Sequence, residues 1–558
     1  MQRPPRQIFW PSNERNHGFV FGWKVNDSIV VAGLAPFENE SVALSAFSNL
    51  TEHGLESLGS CSCDATKKHI SFSCLKCVTW TNGVSLETDQ VHIVNYHRPK
   101  TLSMRFYSLL PIELGVTLVT STAHRQLIQT RVDLQANHSV CHPVSCTGID
   151  NEVISKMNTA HGTMLRLTSG SRRTLIYDTR TIANAAQRQA IRSVVKIFKP
   201  FIGLLTGFPS IWTFAGWIAL YLSTVSQFLV RVRHMKFLVE QYEVLTNRSY
   251  RNDMRGSAKY IRFQNHVWLI MNDIIMGIAA TAFLYENRVF LATVLYRVYM
   301  ETTVIGLNRI LTWLDNWPAG LKLNTELSHF LFLLFTGLAK AWEYVLIRVE
   351  PRIESLIILV SVFGPFGLTM LLSVISDLLT ITTFHLIVSY HIMCVIHRVM
   401  LTTANSLWNL FRSKRYNTLR RRLESSHYDL DQLLLGSMFF TLVTFLFPTS
   451  LVYYALFASS RLLILSVSVS IQALTSAMNH FPLFALTLRL KDPARLPGGI
   501  VLLSRSEDLP VVDVINVPIS LSRLFSEHLE AQATLLQRHR PMRLLYLLTS
   551  GKSLTSLP

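Results

Sequence analysis

Between Phe201 and Val230 the chain carries no charged side chain. This run exceeds the roughly 20 residues that a helix needs to cross a bilayer, and lipid admits only backbones that satisfy their own hydrogen bonds. Similar apolar runs follow at Val267–Tyr285, Ser355–Ser376, Leu378–Ile396, Leu433–Ser460 and Leu462–Leu488, and each is a candidate span. Hydrophobic residues make up 49% and charged residues 16% of the 558 positions, a balance too apolar for a soluble multidomain enzyme. The shorter run Leu327–Ala339, closed by Lys340, suits an interfacial or buried helix better than an independent span.

The 53 Lys and Arg against 35 Asp and Glu form no stripe on a soluble face, and no nucleic-acid module accompanies them. They flank apolar runs instead. Arg231–His266 holds eight Lys/Arg against three acids and Phe411–Gln432 six against three, so both are expected on the cytoplasmic side. The N-terminal residues show no apolar leader, which predicts a cytoplasmic N-terminal domain and makes the sequons at Asn26, Asn39, Asn49, Asn137 and Asn247 chance matches. A single crossing at 201–230 would put the first basic loop in the lumen. That segment, interrupted by Pro209 and Gly216, is therefore predicted to be re-entrant or interfacial.

The expected fold class is a polytopic α-helical membrane protein with an N-terminal soluble α/β domain. Residues 1–195 form the cytoplasmic α/β domain, with β-rich runs "GFVFGW", "SIVVAGLA", "HISFSC", "VHIVNY" and "TLIYDT" between polar breaks. Residues 196–490 form a multi-span membrane domain with an interfacial elbow at 313–347. Residues 491–558 form a cytoplasmic C-terminal cap and tail, helical over 521–539.

Signs of catalysis are sparse. No Gly-rich phosphate loop is visible, and Asp429-Leu430-Asp431 spells D-x-D beside a basic juxtamembrane run, where acids balancing that run are the simpler account. No cofactor is expected. Cys61, Cys63, Cys74 and Cys77 could hold a structural zinc, with Cys141, His142 and Cys146 as alternatives, although C-x-C is not the usual knuckle and reduced cysteines are often core residues. His385, His391 and His397 recur every six residues, about 240° apart around a helix, so one helix cannot gather them. Asp273, an isolated carboxylate inside Val267–Tyr285, is the intramembrane polar residue to explain, by a substrate contact or by a structural hydrogen bond. Asp377 reads as part of an exposed loop between two spans.

The stretch "LTWLDNWPAGLKLNTEL" predicts a helix, a tight elbow and a second helix. Pro318 fixes its own φ and extends Trp317, Gly320 permits the turn, and Asn324 can cap the helix that Glu326 opens. Trp313 and Trp317 suit headgroup depth and Lys322 can reach phosphates, so the elbow would lie in the membrane interface and present a lipid or dock a partner helix.

This stretch, the following "WEY" at 342–344 and "FPLFALTLRLKDPARLPGGI" at 481–500 resemble the signature segments of the PIG-Q family. The resemblance covers roughly residues 200–500 and implies a subunit of the phosphatidylinositol N-acetylglucosaminyltransferase complex of the endoplasmic reticulum membrane. That complex transfers N-acetylglucosamine from UDP-N-acetylglucosamine to phosphatidylinositol, the first step of GPI-anchor biosynthesis. In the family the chemistry belongs to PIG-A, with PIG-C, PIG-H and PIG-P alongside, so the chain is expected to be a non-catalytic scaffold. A lipid or solute transporter or scramblase is the alternative.

Overall fold

The computed structural model describes residues 7–12, 17–26, 28–35, 55–62, 78–80, 92–100, 105–112, 149–169, 189, 193, 196, 199–200, 209–219, 221–246, 254–316, 318–417, 419–420, 422–425, 427–504 and 511–554. The chain divides into two compact units. One comprises Met1–Leu204, Arg233–Leu269 and Pro482–Glu527, the other Leu205–Val232, Ile270–Phe481 and His528–Pro558.

The first unit is built on a mixed sheet. Alternating residues of its strands put Phe9, Phe21, Trp23, Val25, Val30, Ala32, Val94 and Tyr96 into one core. The strands are β1 (Gln7–Pro11), β2 (His17–Val25), β3 (Ser28–Ala35), β4 (Glu56–Ser62), β5 (Val78–Trp80), β6 (His92–Tyr96), β7 (Pro497–Ser504) and β8 (Val511–Pro518). Their order is β5-β4-β2-β3-β1-β6-β8-β7. β1 pairs in parallel with β3 and β6, and β8 pairs in parallel with β6 from Val511 opposite Ile93 to Asp513 opposite Asn95. The sequence reading set residues 491–558 apart as a cap; in the structure 497–518 supplies two strands of this sheet, because the apolar alternation of "VVDVINV" matches the pleat of β6. Helix α1 (Asn151–Ser169) buries Val153, Ile154, Met157, Ala160 and Met164 against the sheet, a helical spacing that makes one apolar stripe. Tyr96 donates to the Val31 carbonyl at 2.5 Å, and Asn158 exchanges two hydrogen bonds with the Tyr107 backbone. "HISFSC", "TLIYDT", Cys63, Cys74, Cys77, Cys141, His142 and Cys146 lie outside the described residues, as does the Cys61 side chain.

The second unit is helical: α2 (Pro209–Ala219), α3 (Ser223–Thr246), α4 (Met254–Glu286), α5 (Arg288–Tyr299), α6 (Gly306–Asp315), α7 (Thr325–Val349), α8 (Ile353–Ser361), α9 (Leu368–Thr382), α10 (Phe384–Phe411), α11 (Leu430–His480) and α12 (Pro541–Thr549), with α3 and α4 shared with the first unit. Among the described residues, five helical stretches are long and apolar enough to cross a membrane: Ala258–Glu286, Arg288–Asp315, Thr325–Phe366, Phe384–Phe411 and Leu430–His480. The chain is a membrane protein with a mixed-sheet N-terminal region.

Several predicted span boundaries move. Among the described residues the run 201–230 is divided: α2, about 16 Å long and shorter than the ~30 Å hydrocarbon core, ends at Ala219, and a new helix starts at Ser223. Leu327–Ala339 is not a short independent helix; α7 runs on past Lys340 and Glu343 to Val349. Ser355–Ser376 breaks at Gly364-Pro365, where the proline lacks an N–H and Gly367 takes a φ of 121°. Leu378–Ile396 breaks at Thr383, which separates α9 from α10. Leu433–Ser460 and Leu462–Leu488 merge into α11, which runs through Pro448 and Arg461 and ends at Phe481-Pro482. Arg288–Asp315 was missed because Arg297, Glu301 and Arg309 interrupt its apolar pattern.

Candidate functional site

The elbow is the first site with distinctive geometry. A π-helical turn at Met300–Ile305 leads into α6, which buries Leu307, Leu311 and Leu314 at i, i+4, i+7 and leaves Trp313 exposed. After Asn316 the chain makes one 3₁₀ turn, Pro318–Gly320, closed by Leu321 N–H donating to the Pro318 carbonyl at 3.0 Å. Gly320 has φ +76°, the left-handed region that a Cβ penalises, and a Cβ there would meet no other atom. The constraint at Gly320 is therefore backbone conformation, not space. Pro318 is buried, Gly320 and Lys322 are exposed, and Trp317 lies outside the described residues.

Asn324 opens α7 by accepting Leu327 N–H at 2.9 Å, and its own N–H donates to Thr449 Oγ1 at 2.9 Å. Thr449 is fully buried beside Pro448, the kink-prone position of α11. One turn into α7, the Tyr453 hydroxyl donates to the Ser328 carbonyl at 3.2 Å and pairs with the Ser328 hydroxyl at 3.1 Å. Phe335 then packs on Phe457, with ring centroids 4.4 Å apart. The second arm of the elbow is thus fixed in register on α11, while Trp313 and Lys322 point away from the packed core.

The second site surrounds Asp273. It is completely buried in α4, and both carboxylate oxygens are engaged. Oδ1 accepts the backbone N–H of Thr369 at 3.0 Å; Oδ2 accepts the Thr369 hydroxyl at 3.0 Å and pairs with the Arg231 guanidinium of α3. Arg231 Nη2 also donates to Thr369 Oγ1 at 2.5 Å. Gln227, one turn earlier in α3, donates to Thr369 Oγ1 at 2.9 Å and exchanges hydrogen bonds with Asn479 near the end of α11 at 3.1 and 3.0 Å. Four helices meet in this network, and its one formal anion faces its one cation.

Asp273 also caps α9 from outside, since Thr369 N–H belongs to that helix's unsatisfied first turn. Glycines make the approach possible. A Cβ on Gly367 would fall on the Asp273 carboxylate, and a Cβ on Gly277 would lie 2.7 Å from Leu368 N. Asp377 repeats the device: its carboxylate accepts Ser223 N–H at 2.8 Å, Thr224 N–H at 2.9 Å and the Thr224 hydroxyl at 2.6 Å, capping α3. This corrects the loop reading of Asp377, which sits inside α9.

These carboxylates act as fixed caps and counter-charges. Among the described residues Asp273 meets the helices that it joins. The histidines separate as their spacing requires: His385 stacks on Trp342 at 5.3 Å, His397 stacks on Tyr454 at 4.3 Å, and His391 is exposed. Asp429 and Asp431 are exposed at the start of α11. Among the described residues no three His, Cys, Asp or Glu side chains come together. Asp273 was legible as an isolated intramembrane acid, whereas Arg231, Gln227, Thr369 and Asn479 were missed. The polar residues three to four apart in α3, Gln227 and Arg231, were the available signal for an inward-facing stripe.

Residues 225–498 match the family described as the N-acetylglucosaminyl transferase component (Gpi1). The chain is 34% identical over 273 residues to the N-acetylglucosaminyl-phosphatidylinositol biosynthetic protein gpi1 of Schizosaccharomyces pombe, covering 49% of this chain and 42% of that protein. It is 36% identical over 273 residues to the phosphatidylinositol N-acetylglucosaminyltransferase subunit GPI1 of Saccharomyces cerevisiae, 48% of this chain and 45% of that one. With subunit Q of the same transferase from Homo sapiens the identity is 31% over 322 residues, 56% of this chain and 41% of that protein. The matched region thus spans less than half the length of these relatives. No solved structure matches the chain. The matched region takes in the elbow and every residue of the Asp273 network, and over residues 225–498 this chain belongs to the Gpi1 family.

Proposed function

We propose that the chain is a non-catalytic membrane subunit of a phosphatidylinositol N-acetylglucosaminyltransferase, the activity that moves N-acetylglucosamine from UDP-N-acetylglucosamine to phosphatidylinositol in GPI-anchor biosynthesis. The observation that carries this is the match to named subunits of that enzyme at 31% to 36% identity. It also speaks against the transporter alternative. The chain would reside in the endoplasmic reticulum membrane with residues 1–195 on the cytoplasmic side, and its partners would be a PIG-A-type catalytic subunit with PIG-C, PIG-H and PIG-P types.

On this reading the elbow formed by Trp313, Pro318, Gly320, Lys322 and Asn324 sets the height of the catalytic subunit over the bilayer. A soluble transferase domain acting on a lipid needs such a reference, because a misplacement of ~1 Å costs about 100-fold in rate. The rigid seating of α7 on α11 and the outward Trp313 and Lys322 support that role. The Asp273 network holds the helices behind it.

The test is to tag the full chain, extract it in mild detergent and identify stoichiometric companions by mass spectrometry. A glycosyltransferase with small membrane subunits is the expected result, and a monodisperse chain alone would refute the proposal. Asp429→Asn with Asp431→Asn should leave the complex active; loss of activity would point to a metal held by this chain.

A further inference from the structure

Arg461 lies inside α11 with 7% of its surface exposed. Its Nη2 reaches the Leu554 carbonyl at a long 3.5 Å, and its Nε is buried without a partner. Among the described residues it has no ion-pair partner, in contrast to Arg231. α10 and α12 contain no acidic residue, and α11 contains none after Asp431.

The same elements bring further positive charge. Arg398 of α10 lies against Gly551, whose Cβ would sit 3.3 Å from the Arg398 backbone, and Lys552 follows directly. His391 is within electrostatic reach of Arg461. The end of α12 and the segment after it are fastened to α11 and α10: Tyr454 donates to the Leu548 carbonyl at 2.8 Å, and Leu554 N–H donates to the Tyr390 hydroxyl at 3.0 Å. A guanidinium stays protonated in any protein environment, and burying it without a counter-charge costs several kcal/mol. A buried arginine among membrane helices therefore marks a place where an anion belongs.

The location narrows the kind of anion. Arg461 separates the uncharged runs Leu433–Ser460 and Leu462–Leu488, so it stands at the end of whichever run crosses the hydrocarbon, at the level of the phosphates. Neighbouring Leu463 and Val467 are exposed, as lipid-facing residues are. We infer that Arg461, where α10, α11 and the segment after α12 come together, binds the phosphodiester of an anionic glycerophospholipid. Arginine suits this role because its planar fork pairs two phosphate oxygens at once. The inference rests on the membrane placement of these helices and not on assembly with a transferase.

The test uses the full chain in mild detergent, offered phosphatidylinositol and phosphatidylcholine in mixed micelles, with bound lipid counted by native mass spectrometry. The wild-type chain should retain phosphatidylinositol in preference. Arg461→Gln should lower that retention by about tenfold or more, and Arg461→Lys should keep the preference at reduced strength. Excess inorganic phosphate should leave the lipid in place. A wild-type chain with no preference for the anionic lipid overturns the inference whether or not the variants fold, and so does a folded Arg461→Gln chain that retains lipid normally. Displacement by inorganic phosphate would assign Arg461 to a soluble anion and overturn the lipid assignment.

Discussion

Replacing Asp273 by Asn preserves the shape of the residue and removes its charge. Arg231 would then sit 8% exposed with its Nε and Nη1 already unpartnered and its only carboxylate gone. Breaking a buried pair from one side costs about 3–5 kcal/mol, and the first turn of α9 loses an anion worth a further ~0.5–1 kcal/mol. At roughly 2–4 °C per kcal/mol for a unit of this size, the unfolding midpoint should fall by about 10 °C or more. Far-ultraviolet circular dichroism of the purified chain in detergent reads this directly. The decisive comparison is a double-mutant cycle. Asp273→Asn combined with Arg231→Met should be less damaging than Asp273→Asn alone, because the orphaned cation is removed with its partner, giving a coupling of about 2 kcal/mol or more. A single variant within about 1 kcal/mol of wild type, or a double variant equal to the sum of the singles, would refute the reasoning.

Gly277→Ala should be among the most damaging small substitutions, by about 3 kcal/mol, because its Cβ meets backbone atoms of Gly367 and Leu368 that cannot rotate away; unfolding in detergent checks it. Gly320→Val should cost about 1–2 kcal/mol through φ alone and weaken co-purification of the catalytic subunit, while Gly320→Asn, which tolerates the left-handed region, should retain it. In the first unit His161 titrates below its ordinary 6.5, through burial first and then through Arg98 and Lys100. The folded state thus binds that proton less readily than the unfolded chain. His161 contributes stability that is present above about pH 6.5 and lost as the pH falls below it, and His161→Gln should flatten the decline in an unfolding series between about pH 7 and 5.

The local chemistry of the elbow was legible because a proline, a glycine and an asparagine each act on the residues beside them. The strands Ser28–Ala35 and His17–Val25 were legible for the same reason, since alternation is a property of neighbours. Helix ends inside the membrane were not. In the uncharged run to Ser376 the Gly364-Pro365 pair marks a weak point, but what the break serves, the close approach of Gly277 on another helix, is not written near it. Arg461 divided two candidate spans that are one helix for the converse reason: a charged residue inside α11 is explained only by elements far away in the chain. Asp273 could be singled out alone, whereas its partners come from three other helices that no periodicity links to it.

The pairing of Val511–Pro518 with His92–Tyr96 carries a consequence for biogenesis. At about 5–20 residues per second, the ribosome needs some tens of seconds to make the roughly 400 residues that separate these strands. Through that interval β6 offers an unpaired parallel edge of the kind that recruits foreign strands, while the intervening helices are being inserted into the bilayer. The sheet therefore matures last although its first strands are made first. A nascent chain stalled within the helices should be bound by holdase chaperones and released from them once residue 518 has emerged.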